Sequence, residues 1–86
     1  MDYELIKIDK LKHSLLVKAD GVELWVDYYC TKEGSENFYN WEFNQYIYCL
    51  DNSKDIEIKE TQEKIYKDIE NFNYFMDEIF YNYLEN

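Results

Sequence analysis

The chain has 86 residues, a net charge of −10 and 47% apolar residues, with ten Tyr, five Phe and two Trp. These aromatic residues exclude a disordered chain and, at this length, predict a single domain, residues 1–86, with its own core. No apolar run is long enough to cross a bilayer, no secretory leader is recognisable and two cysteines cannot form a disulfide framework, so we expect a cytoplasmic protein without membrane contacts.

The first apolar segment, Tyr3 to Asp9, fits two structures. As a strand it would place Ile6 and Ile8 toward the core. As a short helix its apolar side would consist of Leu5, Ile8, Leu11 and Leu15, and periodicity alone does not decide between the two. We prefer the strand, because an additional strand would cover more of the long helix that the end of the sequence predicts.

A β-hairpin is predicted around Asp20-Gly21, a dipeptide suited to the positive φ angles of a type I′ turn. Before the turn lies the largely apolar segment 14–19, and after it residues 22–29 alternate between apolar and acidic or aromatic side chains, as half-buried strands do. A two-residue turn pairs apolar residues across the hairpin: Ala19 with Val22, Val17 with Leu24 and Leu15 with Val26. All six then face one side of the sheet, so turn chemistry and side-chain pattern agree.

A further strand is predicted over residues 38–50, after a polar loop around Gly34. The pairing that matches its apolar side to the hairpin sets Tyr28 opposite Trp41, Val26 opposite Phe43 and Val22 opposite Ile47. The inner side of this strand would carry Tyr39, Trp41, Phe43, Ile47 and Cys49. A break near Asn44-Gln45 is the alternative to one continuous strand.

Residues 61–85 predict one long α-helix, about 37 Å in length at 1.5 Å per residue. Large apolar residues recur every three or four positions and form a stripe. Its members are Ile65, Tyr66, Ile69, Phe72, Phe75, Met76, Ile79, Phe80, Tyr83 and Leu84. Thr61 is the expected N-cap, and Ile56 and Ile58 would form a fifth short strand or the approach to the helix.

The predicted fold is therefore α+β: an antiparallel β-meander of about four strands, with one face packed on one long C-terminal α-helix.

Residues able to perform chemistry are sparse and poorly spaced. Zinc needs several Cys or His ligands, and the chain has one His and two Cys at no ligand spacing. In the predicted register Cys30 lies opposite Tyr39, and Cys49 about 33 Å farther along a straight strand, so the cysteines share neither a metal nor a disulfide. His13 has no nucleophile motif beside it. We therefore expect no metal site, no cofactor and no catalytic site, and the protein is not predicted to be an enzyme.

The negative charge is concentrated in the second part of the chain. Residues 1–32 contain six acids and five lysines, whereas residues 33–86 contain thirteen acids and four lysines. On the predicted helix, Glu63, Glu70 and Asp77 recur every seven residues, and Glu78 and Glu85 continue the outer side. A row of carboxylates can enter the basic groove in which a protein holds phosphates, although an ordinary solvated helix face shows the same pattern. Direct binding of DNA or RNA is disfavoured, because the lysines are dispersed among a larger number of acids.

The predicted register also places aromatic residues on the sheet face that points away from the helix. They are Trp25, Tyr29, Tyr46 and Tyr48, beside Glu23, Asp27 and Glu42. Exposed aromatic clusters of this kind are typical of interfaces. We expect this face to bind a partner protein, or a second copy of the chain in a homodimer.

These features favour a small acidic, non-catalytic inhibitor that binds and blocks a basic nucleic-acid-handling protein, such as a nuclease complex. The residues expected to bind that partner are Glu63, Glu70, Asp77, Glu78, Trp25, Tyr29, Tyr46 and Tyr48. The alternative is an immunity protein that neutralises a basic bacterial toxin, as an antitoxin does, through the same acidic and aromatic chemistry. An enzyme whose site the sequence does not reveal is a third interpretation.

In size, charge and its heavy use of Lys, Asn, Ile and Tyr, a bias typical of AT-rich genomes, the chain resembles phage-encoded anti-CRISPR and anti-restriction proteins as a class. That resemblance implies action in the cytoplasm of a bacterial host cell, with DNA or RNA mimicry as one means of inhibition.

Overall fold

The computed structural model describes residues 1–44 and 52–84. In this part of the chain, one antiparallel sheet has the strand order β1-β2-β3-β4, formed by β1 (Tyr3–Asp9), β2 (Ser14–Ala19), β3 (Val22–Glu33) and β4 (Glu36–Phe43). The helices are α1 (Asn52–Lys67), α2 (Ile69–Ile79) and a short π-helix (Phe80–Leu84). The predicted α+β fold, an antiparallel meander with its inner face packed on the C-terminal helical part, is confirmed.

The β2–β3 hairpin forms as the sequence predicts. Asp20 and Gly21 have φ angles of 45° and 86°, both positive as a type I′ turn requires. The register pairs Ala19 with Val22, Val17 with Leu24 and Leu15 with Val26. The inner side of the hairpin is buried in the core, which is why this register is strongly specified.

The β3–β4 pairing is also confirmed as far as the described residues extend. Tyr28 lies opposite Trp41, and Val26 opposite Phe43. The predicted partner of Val22, Ile47, and the inward position of Cys49 fall outside the described residues. β2 pairs with β3 only as far as Asp27, whereas β4 pairs with β3 up to Glu33, so the far end of the β3–β4 hairpin is a two-stranded arm.

Tyr3–Asp9 is a strand, but the expectation that Ile6 points inward is wrong. The register steps from Leu5 opposite Val17 to Lys7 opposite Leu16, so Ile6 is the extra residue of a β-bulge. One extra residue reverses the alternation of side chains. Leu5 and Ile8 therefore pack on the core, while Ile6 is exposed.

The helical part begins nine residues before the predicted start and is interrupted once. Ile56 and Ile58 lie inside α1 rather than in a fifth strand. Thr61 is not an N-cap: it is buried within α1, and its hydroxyl donates a hydrogen bond of 2.8 Å to the Glu57 carbonyl one turn earlier. At Asp68 the backbone leaves helical geometry, with φ −116° and ψ 27°, and this residue separates α1 from α2.

The core lies between the inner face of the sheet and one side of the helices. Phe72 of α2 is fully buried at its centre. The centroid of its ring lies 4.7 Å from that of the Trp41 indole and 5.1 Å from that of the Tyr3 ring, and both contacts are edge-on. Phe72 therefore contacts strands at both edges of the described sheet. The helical residues buried with it are Ile58, Ile65, Met76, Ile79 and Phe80, whereas the predicted stripe members Tyr66, Ile69 and Tyr83 are exposed.

Two polar contacts fix the position of α2 on the sheet. The Trp41 indole N–H of β4 donates a 2.9 Å hydrogen bond to the side-chain oxygen of Asn73. From β1, the Tyr3 hydroxyl donates a 2.7 Å hydrogen bond to the Asp68 carboxylate, whose other oxygen accepts one of 2.8 Å from the Asn71 amide. The hydrogen bonds from Tyr3 and Asn71 lower the pKa of Asp68, and burial followed by the Asp68 contact raises the pKa of Tyr3. The interruption of the helix thus lies where α2 is tied to β1.

We expect Phe72→Ala to lower the free energy of unfolding by about 3–5 kcal/mol, because it removes a fully buried ring and leaves a cavity. Tyr74→Ala is the matched control, since Tyr74 lies two residues away on α2 with its side chain exposed. That change should cost less than about 0.5 kcal/mol. Chemical denaturation measures both values, and equal losses for the two variants would contradict the central position of Phe72.

The Tyr3–Asp68 contact should make stability depend on pH in the acid range. A carboxylate whose pKa is lowered by folding stabilises the folded state above its ordinary value of 3.8, and this contribution disappears as the pH falls through the lowered value. Asp68→Asn should therefore melt at a lower temperature than the wild type at pH 7, and the difference should shrink below pH 4. Tyr3→Phe, which removes only the hydroxyl, should weaken the dependence of the melting temperature on pH. If the melting temperatures of wild type and Asp68→Asn differed by the same amount at every pH in this range, the assignment would be contradicted.

Candidate interaction surfaces

The four helix acids predicted to bind the partner all have exposed side chains: Glu63, Glu70, Asp77 and Glu78. They do not form one uniform stripe, because their surroundings differ in charge. α1 contains four acids and four lysines, so Glu63 lies among compensating charges, with Lys64 and Lys67 in the last turn. Residues 68–84 contain four acids and no lysine. The negative field of the described helices is therefore concentrated on α2.

Exposed tyrosines accompany the acids of α2. Glu70, Tyr74 and Glu78 follow one another at spacings of four residues, which places them along one side of α2. Tyr81 follows three residues later, in the π-helix that continues α2. Tyr74 is 65% exposed and Tyr81 is 71% exposed. We call this surface, with Asp77, the acid–tyrosine face. The tyrosines were missing from the sequence prediction, although their positions off the apolar stripe were a usable signal.

A groove lies where the arm of the sheet meets the end of α2. Its volume is about 460 Å³, and it is lined by residues 37–40 of β4 and by Asp77, Phe80 and Tyr81. The Tyr39 ring stacks on Phe80 at 5.0 Å, and the Tyr39 hydroxyl donates a 3.3 Å hydrogen bond to the Leu84 carbonyl. Asp77 is the charged residue of this lining. We call this groove the end groove.

The outer face of the sheet carries Trp25 and Tyr29 as the register predicted, whereas Tyr46 and Tyr48 fall outside the described residues. Tyr29 is half-exposed and Trp25 is half-buried. Trp25 lines a second depression of about 390 Å³, together with Lys7, Asp9, Lys12, Ser14, Asp27 and Asn44. This face is therefore mixed in charge rather than simply bordered by acids.

Asp27 in that depression is held by its neighbours. One oxygen of its carboxylate accepts a 2.6 Å hydrogen bond from the Ser14 hydroxyl and one of 3.2 Å from the Asn44 amide. Ser14 is itself buried. These bonds tie the start of β2 to β3 and to the residue that follows β4, which gives Asp27 a structural role in the sheet.

Two of the three residues considered for chemistry, Cys30 and His13, lie in the described part of the chain. Cys30 is exposed and pairs with Tyr39 across the arm, as predicted, and Cys49 is outside the described residues. His13 stacks on Tyr28 at 5.5 Å, with a positive φ of 52° in the β1–β2 turn. Across residues 1–44 and 52–84, no group of three His, Cys, Asp or Glu side chains is placed to hold a metal ion. Nor do the helices described over this part of the chain include one long and apolar enough to cross a membrane.

The chain and its fold were compared with known proteins. No protein-family model, no curated protein and no solved structure matches. The acid–tyrosine face and the end groove beside it are therefore the surfaces from which a function is proposed.

Proposed function

We propose that the protein is a small non-catalytic inhibitor that binds the basic, nucleic-acid-binding site of another protein through its acid–tyrosine face. The observation that carries the proposal is the charge of residues 68–84, four acids without a lysine, with Glu70, Asp77 and Glu78 exposed on a helix that the core holds in place. A partner that normally binds phosphates gains charge pairing and counterion release from such a surface.

The spacing of these acids supports mimicry of a nucleic acid. Seven residues separate Glu70 from Asp77, about 10 Å along the axis at 1.5 Å per residue. One DNA strand likewise carries a phosphate for about every 3.4 Å of its axis, around which the strand winds. A rigid helix with exposed carboxylates therefore shares with DNA a set of like charges held at fixed separations. This likeness is confined to α2, because the acids of α1 are balanced by lysines.

The tyrosines supply the apolar part of such an interface. Charged pairs at the rim of an interface contribute little net affinity, since water and salt screen them and both side chains must be ordered. Tyr74 and Tyr81 offer large rings at a low cost in side-chain entropy, and tyrosine is enriched among the residues that dominate binding energy. The acids would then steer and orient the partner, and the tyrosines would hold it.

The balance of charge over the whole chain indicates what the protein does not bind. With a net charge of −10 the protein repels phosphates, so it acts on the protein partner and does not bind DNA or RNA itself. The proposed site of action, the bacterial cytoplasm, depends instead on the kind of partner, since nucleases and other nucleic-acid-handling complexes work there.

Charge reversal on α2 tests the proposal. Glu70→Lys/Glu78→Lys should weaken binding by about tenfold to a hundredfold, because two attractive charges become repulsive. Glu57→Lys/Glu60→Lys is the matched control: it changes the net charge by the same amount at exposed positions on α1 and should have a much smaller effect. Immobilised wild-type protein and both variants would be used to capture proteins from bacterial lysate, with quantitative mass spectrometry of what each retains.

The captured protein then provides the decisive competition. Excess DNA or RNA should displace the inhibitor from the purified target, and association should slow as ionic strength rises above about 0.1 M, where the screening length is about 10 Å. A target that binds nucleic acid and this protein together, without loss of affinity for either, would contradict the proposal. The proposal would also be contradicted if the captured target were a toxin without a nucleic-acid-binding site, or if the two charge-reversed variants lost binding equally.

A further inference from the structure

The end groove combines one carboxylate with aromatic walls. Asp77 lies on the helix side, Tyr81 follows it by one turn, and Phe38 lies on the arm of the sheet. The rings of Phe38 and Tyr81 are exposed, at 46% and 71%. Amide side chains of Asn37 and Asn40 complete the sheet side and can accept hydrogen bonds. This set of groups is suited to a cation that also has a flat, weakly hydrated surface.

We propose that the end groove receives an arginine side chain of the partner, an inference that rests on the proposed function and names the side chain that function requires. Guanidinium is planar, stacks on aromatic rings and pairs with a carboxylate through two parallel hydrogen bonds. Arginine is also the residue with which proteins most often hold phosphate in planar, two-point contacts. An inhibitor that replaces nucleic acid must therefore satisfy such arginines.

Other ligands fit the groove less well. An anion would meet Asp77 within a chain of net charge −10. A purely apolar group would cover the carboxylate without pairing it, which costs free energy. Lysine would pair with Asp77, but its compact, strongly hydrated ammonium group gains less from the rings than guanidinium does.

The groove is already formed in the free protein, so little ordering is needed on binding. Its floor is the buried Phe80 ring under Tyr39, and the Tyr39 hydroxyl is bonded to the Leu84 carbonyl. Preorganisation of this kind contributes affinity by lowering the entropic cost of binding.

Nuclear magnetic resonance of the ¹⁵N-labelled full chain tests the groove without a known partner. The probe is a blocked Gly-Arg-Gly tripeptide, compared with Gly-Lys-Gly and with the citrulline analogue, which has the shape of arginine and no charge. The arginine peptide should shift the Asn37 and Asn40 side-chain amide signals and the Asp77 backbone amide signal saturably, with affinity on the order of millimolar. The lysine peptide should bind more weakly, and the citrulline peptide should shift none of these signals.

Two neighbouring carboxylates give a matched pair of variants. Asp77→Asn keeps the shape of the groove and should weaken binding of the arginine peptide by about tenfold. Glu78→Gln removes the adjacent exposed charge, which is not part of the groove lining, and should change affinity by less than about twofold. Phe38→Leu should also weaken binding, since it removes an aromatic wall at an exposed position.

The outcomes separate this inference from the proposed function. Saturable arginine binding that Asp77→Asn removes supports the groove, even if nucleic acid fails to displace the protein from its target, a result that overturns only the inhibitory function. Absence of saturable shifts at the groove, or an equal effect of Asp77→Asn and Glu78→Gln, overturns the arginine site even if nucleic acid does compete.

Discussion

The burial of Phe72 against the inner face of the sheet is the interaction on which the rest of the structure depends. Its ring touches Tyr3 of β1 and both Trp41 and Phe43 of β4, and so contacts the two outer strands of the described sheet. A small domain has few such residues, and each accounts for a large part of its marginal stability. Because this side of α2 is committed to the core, the opposite side must be the one offered to solvent.

That constraint explains where the charges lie. Asp68 and Asn73, beside the core, are used in bonds to Tyr3 and Trp41, whereas Glu70, Asp77 and Glu78 face away. A helix fixed at these points holds its outer carboxylates in a constant arrangement. A partner that binds this face therefore meets preorganised charges and pays little to order them. The end groove extends this surface onto the sheet, since Asp77 is shared between the two.

Local chemistry was sufficient to predict the strands and much of their register. Asp20-Gly21 defines its own turn, and a two-residue turn then sets Leu15 opposite Val26 and Val17 opposite Leu24 on the inner face. It was insufficient where tertiary contacts override alternation. Nothing in residues 3–9 marks Ile6 as the extra residue, because the bulge is a property of the pairing with β2. Thr61 likewise has the residue type of an N-cap. Because Ile58 packs on the core, however, the helix begins before Thr61.

Side-chain period and composition were enough to predict the fold class, the pairing of β2 with β3 and of β3 with β4, the apolar side of α2 and the excess of acid beyond residue 32. Tertiary structure decided the interruption at Asp68, whose carboxylate is bonded by a tyrosine 65 residues away. It also decided that residues 37–40 meet Asp77 in one groove. No spacing in the sequence encodes that meeting, since it arises only when the arm of the sheet and the end of α2 pack on the same core.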